Sequence, residues 1–409
     1  MSLAVALLLP LLSLQDEAAS FAKDARVAVA LYTPLPDSKP ETDFVEMDKA
    51  GIDVALIDFD GKAESLDPLI LAFEAIAKRK KEGPRLAVYL KLGKDTDLGA
   101  ADLFYERLPK RLAARVDGRP LVWLAPAPAG AAPLEAPLKR LRQPPYLVAE
   151  ISWRGAPADR SYALGSLRGF AMDFPVVSVG PGTLNREDGK TYERAWYKAI
   201  RLEPRMVMLE SWNGPADGVS ETPERKRKYL DLTHRFVRDY KVNEKIVLPK
   251  GKWTAATQVA FTVMYTPHVQ GLGPVAVEDG LFDEVRLRGF EALSTKENKR
   301  GTLRRLCFDV DDSFTYFDTR SFLVAVEFLD LGEGSFSLEY DSGDRTLSSE
   351  ERVLKSAGSV RFTGSGEWKT EAFSLPDAAF GNGQPGGSDF RFTVDKRGLA
   401  VRSVMVIKK

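Results

Sequence analysis

The chain has 409 residues, long enough for two domains that each bury a core of their own. Lysine plus arginine and aspartate plus glutamate number 58 each, with no basic stripe, which excludes attraction to nucleic acid or to an anionic membrane surface. One cysteine, Cys307, excludes an intrachain disulfide, and the two histidines, His234 and His268, lack the company that a metal site or a Ser-His-Asp triad needs.

Residues Leu3 to Leu14 are almost wholly apolar and are followed by Gln15-Asp16-Glu17. That is the length of a signal-peptide core and too short to span a bilayer, so residues 1–15 are expected to be an export signal, although no Lys or Arg precedes the run. The expected location is secreted or periplasmic.

From 22 to 242, short apolar runs alternate with helical stretches, the pattern of parallel strands joined by crossover helices. The runs are Val27 to Tyr32, Val54 to Asp58, Leu86 to Leu90, Leu121 to Leu124, Tyr146 to Ile151, Gly169 to Met172, Val176 to Val179 and Met206 to Glu210. Eight of them predict a (β/α)8 barrel, the sixth being the weakest run. An open doubly wound sheet would need a glycine-rich phosphate turn after the first strand, and Tyr32-Thr33-Pro34 is not one. The Ala/Pro-rich stretch Ala125 to Pro137 reads as a long loop.

A parallel barrel presents its site at the C-terminal ends of its strands. Residues Met206 to Glu221, MVMLESWNGPADGVSE, end an apolar run in Glu210, Ser211, Trp212 and Asn213, then turn through Gly214-Pro215 to Asp217. Thr222 and Pro223 suit a helix start, and Tyr229, Leu232, Phe236 and Tyr240 recur at helical spacing. Glycosidic chemistry uses two carboxyl groups, so Glu210, Asp217 and Glu150, near the end of the fifth strand, are the candidate catalytic residues. Trp212 and Trp153 offer indole faces to a sugar ring. Asn213, Tyr32, Asp58 and Arg186 complete the candidate substrate-binding set at strand ends and the loops after them. Each has a plainer reading: loop packing for the indoles, a turn for Asp58 and Asp217, an ion pair for Glu210.

The segment resembles the last strand of the glycoside hydrolase family 99 endo-α-mannosidases and their secreted bacterial relatives, which carry Ser-(Trp/Phe)-Asn-Glu-Trp-His-Glu-Gly there. Ser211, Trp212, Asn213 and Gly218 match. So do Asp117-Gly118-Arg119-Pro120 before a strand, Gly180-Pro181-Gly182 after another, and the run Gly189 to Ala199 with Tyr192 and Trp196. The resemblance covers about half the chain and implies a barrel acting on a glycan. It also implies that Asp217 stands where the family has its general acid, one methylene longer, and Gly214 where the family has its base. Pro215 and Ala216 replace the family Trp and His.

Tyr240 to Lys252 reads as a connector, and from 250 to 409 alternation of period two takes over. Phe322, Val324, Val326 and Phe328 share one face, as do Phe336, Leu338 and Tyr340, with Gly332 and Gly334 between them. Phe390 and Phe392 alternate likewise, and Leu399 to Ile407 closes the pattern. This predicts a jelly-roll-like β-sandwich, similar to the carbohydrate-binding modules attached to secreted glycosidases. Asp309, Asp311 and Asp312 crowd a strand end without the spacing of a calcium loop, and Trp253 and Trp368 are stacking candidates or core. No cofactor and no metal are expected. A polysaccharide is the expected partner, either of a glycoside hydrolase-like barrel or of a catalytically silent binding protein; a structural cell-surface protein is the third possibility.

Overall fold

The computed structural model describes residues 20–22, 24–79, 81–164, 176–181, 189–214, 218–219, 223–242, 250–277, 280–296, 304–344, 346–347, 349–395 and 398–409. The proposed signal peptide and Gly169 to Met172 lie outside them. The described residues form two compact units, one up to residue 242 and one from residue 250 on.

The first unit is mixed α/β. Its strands are β1 (Ser20–Phe21), β2 (Val27–Tyr32), β3 (Val54–Asp58), β4 (Arg85–Leu90), β5 (Arg115–Val116), β6 (Arg119–Leu124), β7 (Tyr146–Glu150), β8 (Arg160–Tyr162), β9 (Val176–Val179) and β10 (Met206–Leu209). Seven parallel ladders run in the order β9-β10-β2-β3-β4-β6-β7-β8. The two ends of this curled sheet meet through the Ser178 hydroxyl on β9, which donates to the Ala163 carbonyl just past β8 at 2.7 Å. The sixth parallel strand is Arg160–Tyr162. Its three residues, Arg-Ser-Tyr, carry no apolar run, so period and hydropathy do not mark it. β5 and β6 form a hairpin at the N-terminal end, turned by Asp117 (φ 49°) and Gly118 (φ 74°), and β1 adds to β5.

The pleat sorts the strand residues into two layers. Ala28, Ala30 and Tyr32, with Ala55, Ile57, Val88, Leu90, Val177, Val207 and Leu209, share a core with the helices α1 (Pro40–Lys49), α2 (Asp67–Lys78), α3 (Gly99–Arg107), α4 (Lys190–Leu202) and α5 (Pro223–Val242). α1 begins with proline and carries Glu41 and Asp43 in its first turn, where the helix dipole favours acids. α4 follows Gly189 (φ 91°) and buries Tyr192, Trp196, Ala199 and Ile200, a spacing that makes one face. Trp196 stacks on Phe236 of α5 at 6.1 Å. On the opposite pleat, Val27, Val29, Val54, Leu56, Ala87, Tyr89, Trp123, Tyr146, Val148, Tyr162, Val176, Met206 and Met208 pack on one another across the concave face.

The second unit consists of two antiparallel sheets. One runs β12 (Pro267–Gln270), β11 (Gln258–Val263), β22 (Ala400–Lys408), β17 (Arg320–Leu329) and β20 (Trp368–Ala378), with β15 (Phe290–Thr295) also on β22 and β14 (Phe282–Leu287) on β15. The other runs β13 (Leu272–Val275), β16 (Arg304–Val310), β21 (Phe390–Val394), β18 (Ser335–Tyr340) and β19 (Lys355–Arg361). One core joins them, with Phe322, Val324, Val326 and Val404 from the first sheet and Phe308, Phe336, Leu338 and Phe392 from the second. Each such side chain contributes about 2 kcal/mol by its burial.

Candidate functional site

The pleat fixes which strand ends face the concave side. Val54 and Leu56 point there, so Asp58 does too; Tyr146 and Val148 carry Glu150 with them. Met206 and Met208 bring Glu210, whose N–H still donates to the Val179 carbonyl at 2.9 Å and so extends the β10 ladder by one residue. Three carboxylates from β3, β7 and β10 therefore stand on the same inner face at the same end of the sheet.

In register with two of them lie two phenols, Tyr89 beside Asp58 and Tyr162 beside Glu150. The Tyr162 hydroxyl donates to the Leu124 carbonyl at 2.9 Å and lies 3.4 Å from the Tyr89 hydroxyl. Burial pushes the Tyr89 phenol up to about 12, and the charges of Asp58, Glu150 and Glu210 all add to the rise. Burial also raises Tyr162 well above its ordinary value, with Tyr89, Glu150 and Glu210 adding to it. The charges of the same three carboxylates reach the Tyr89 phenol.

Two of them are held in place. Lys91, the next inward position along β4, pairs with Asp58 at 2.6 Å. The Glu150 Oε2 accepts the Ser152 N–H at 2.8 Å and the Ser152 hydroxyl, while the Ala127 N–H donates to that hydroxyl oxygen at 2.8 Å. Glu150 and Glu210 are only 8% and 7% exposed.

The aromatic candidates are elsewhere. Trp212 is fully buried in the layer between sheet and helices, and Trp153, in the same layer, donates its Nε1–H to the Ala125 carbonyl at 2.7 Å. Tyr32 faces outward from the sheet, and its hydroxyl bonds Asp43 of α1 at 3.2 Å. Asn213 is a staple between strand-end loops. Its Oδ1 accepts the Thr33 N–H at 3.0 Å and its Nδ2 donates to the Thr33 carbonyl at 2.7 Å and to Ser38 Oγ at 3.2 Å. Asp217 and Arg186 lie outside the described residues. Gly218, beside Asp217, donates to the Gly214 carbonyl at 2.9 Å, and a Cβ there would stand 2.6 Å from that oxygen. Only glycine closes this loop.

The sequence pattern missed Tyr89, Tyr162, Lys91 and Trp123. Strict alternation along Leu86 to Lys91 places Tyr89 and Lys91 on the Asp58 side once one inward residue is known. Tyr162 had no such signal, because its strand is too short and polar.

In the second unit, Asp311 Oδ1 accepts the Ser313 N–H at 2.9 Å, and Asp312 Oδ1 accepts Asn382 Nδ2 at 3.2 Å. Among the described residues no group of acids, histidines and cysteine is arranged to hold a metal ion. Lys252 Nζ covers the Trp253 ring at 4.6 Å, and Trp368 meets Phe290 edge-on at 6.1 Å. Among the described residues no helix is long and apolar enough to cross a membrane.

No protein-family model matches the chain, and no curated protein matches it. Similar solved structures include the GH99 endo-alpha-mannosidase from Bacteroides thetaiotaomicron, at 14% identity and a TM-score of 0.41 over 53% of this chain and 98% of that one. A CBM35 from Cellvibrio japonicus is 12% identical, with a TM-score of 0.23 over 37% of this chain and 92% of that one. A family 35 carbohydrate binding module from Clostridium thermocellum is 10% identical, with a TM-score of 0.22 over 38% and 100%. Likeness at this level identifies neither a family nor an activity.

Proposed function

We propose that this chain is an exported, carbohydrate-active protein in which the first unit is a closed (β/α)8 barrel and the three inward carboxylates at its strand ends work on a glycan. The observation that carries this reading is that Asp58, Glu150 and Glu210 end three parallel strands on the inner face that also holds the Tyr89–Tyr162 pair. Glycoside hydrolysis needs one carboxyl group to protonate the leaving oxygen and a second to act at the anomeric side. Glu150, oriented by Ser152, and Glu210 fill these two roles, with Asp217 as a further donor from the adjoining loop. The second unit serves as a carbohydrate-binding sandwich. Release of reducing ends from α-mannan and related polysaccharides tests the reading, and Glu150→Gln and Glu210→Gln should each abolish most of it.

The rival reading is a silent glycan-binding barrel. Gly214, standing where the resembled family has its base, favours it. In that case the wild type binds a glycan, cleaves none, and loses binding in the same two variants.

A further inference from the structure

Three donors on neighbouring strands of the first unit's inner face lack an acceptor. Trp123 on β6, Val148 on β7 and Arg160 on β8 are in register, and Tyr146 lies two residues before Val148 on the same side of β7. Val148 and Tyr162 face inward, so the pleat turns Arg160 inward as well. Trp123 and Tyr146 are fully buried. Among the described residues the Trp123 Nε1–H, the Tyr146 hydroxyl and the Arg160 Nε–H, all shut off from solvent, have no hydrogen-bond partner. The acid beside Arg160 is already taken: Asp159 accepts Arg119 Nη1 at 3.1 Å and the Leu147 N–H at 2.9 Å. Arg160 Nη1 donates to the Asp159 carbonyl at 2.9 Å, and its guanidinium forms no ion pair among the described residues. Burial raises the Tyr146 phenol, and the Arg160 charge is the largest that opposes the rise, which fits a guanidinium close to the hydroxyl. Buried donors are rarely left without a partner. Water fills such a gap poorly, because it must donate as well as accept and only the Tyr146 oxygen here accepts.

We infer that this sector of the inner face binds one small monovalent anion, of halide or nitrate size, held by Arg160, Tyr146 and Trp123. An anion accepts from all three donors, and its bond to the guanidinium is charge-assisted. One unpaired guanidinium balances one negative charge, whereas the second charge of sulfate would stay buried without compensation. Tyr146 and Arg160 open β7 and β8, while Glu150 closes β7, so the site is separate from the strand-end acids and independent of the glycan reading. Its occupant would tie β8, three residues with no apolar run, to the two strands before it.

Heteronuclear NMR of the indole N–H groups in the full chain tests this. Chloride or nitrate replaces gluconate at constant ionic strength, so that general screening does not change. The cross-peak that Trp123→Phe removes should move saturably with either anion while the other indoles stay put, and sulfate should leave it in place. Tyr146→Phe, which deletes one hydroxyl, should weaken binding about tenfold, and Arg160→Gln should abolish the shift. The first unit's melting midpoint should rise with chloride in the wild type and not in Arg160→Gln. If Arg160→Gln does not fold, Arg160→Lys takes its place: it keeps the charge, loses the Nε–H and should also bind more weakly. A Trp123 indole that ignores chloride and nitrate in the wild type overturns the inference and leaves water as the partner of these donors. An equal response in Tyr146→Phe and the Arg160 variant, or a shift as large with sulfate as with chloride, overturns it too.

Discussion

The eight strands from β9 to β8 in the first unit are parallel, so their C-terminal ends lie along one edge, and three carboxylates there share the inner face with two phenols. The antiparallel sheets of the second unit scatter their strand ends, and each buried carboxylate there has donors of its own. Asp330, fully buried, accepts the N–H groups of Thr363, Gly364 and Ser365, the hydroxyls of Thr363 and Ser365, and the Lys369 ammonium at 2.7 Å. Asp341 accepts Gly381 and Gly383 N–H at 2.9 and 3.1 Å, and Asp377 takes Tyr340 and Lys355, each at 2.6 Å. The same residue type thus fastens loops at Asp330 and stands among its own kind on the inner face of the first unit. A buried acid surrounded by donors stabilises a fold, whereas converging acids cost stability and are kept for what they do.

The comparison breaks first at Trp212. If this indole is packing and not a sugar platform, Trp212→Ala should destabilise the first unit by about 3–5 kcal/mol, the range for emptying a buried aromatic site. Calorimetric melting of the full chain would show one transition falling steeply. Weakened glycan binding with no loss of stability would return Trp212 to the mouth.

Asp330→Ala tests the other side. It strands several buried donors and leaves Lys369 without its partner, so the second unit's transition should lose about 3 kcal/mol while the first unit's stays put. Asp330→Asn keeps the shape and should lose less. An unchanged melt would show that the cage around Asp330 stabilises nothing.

At the mouth the signs separate. Glu150→Gln and Glu210→Gln should each lower turnover at least about a hundredfold, or about 2.7 kcal/mol, if the first unit hydrolyses a glycan as proposed. Neither should lower the first unit's melting midpoint, since each removes a like charge from a crowded group. Loss of stability alongside activity would make these residues structural acids like Asp330.

How much of this was legible before the structure depends on whether a signal was local. Seven of the eight parallel strands have apolar runs, and the buried faces of β17, β18 and β21 follow period two, so hydropathy alone places them. β8 is Arg-Ser-Tyr and is held by pairing with β7, a tertiary cause that no window over its own residues contains. At the site, residue type pointed to Glu150, Glu210 and Asp58, but it could not say which way a strand-end side chain faces. Trp212 and Tyr32 look as suitable as Glu210 until the pleat puts them in the opposite layer.

The smallest expected effect is the one that most directly opposes the two kinds of buried acid, and it lies at Asp389 in the second unit. This residue has no exposure, and it accepts the N–H groups of Val310 and Asn382, each at 2.8 Å. Burial pushes its carboxyl well above the ordinary value, and Asp309 and then Asp341 add to the rise. Asp330 goes the other way: burial raises it, but Lys369, Thr363 and Ser365 outweigh that and hold it well below the usual carboxylate range. The signs follow by linkage. A carboxyl raised on folding contributes stability below its unfolded value and loses that contribution as pH rises through the folded one. A carboxyl lowered on folding contributes above its unfolded value and loses it only as pH falls through the folded one. Lowering the pH from mildly alkaline toward the upper carboxylate range should therefore raise the second unit's midpoint through Asp389, while the Asp330 contribution stays intact. Asp389→Asn, neutral at every pH, should flatten that rise. The transition to follow is the one that Trp212→Ala leaves in place. A wild-type midpoint that falls steadily on the same acidification would mean that Asp389 is a satisfied anion like Asp330, and the contrast between shared and saturated acids would then have to be drawn between residues and not between the two units.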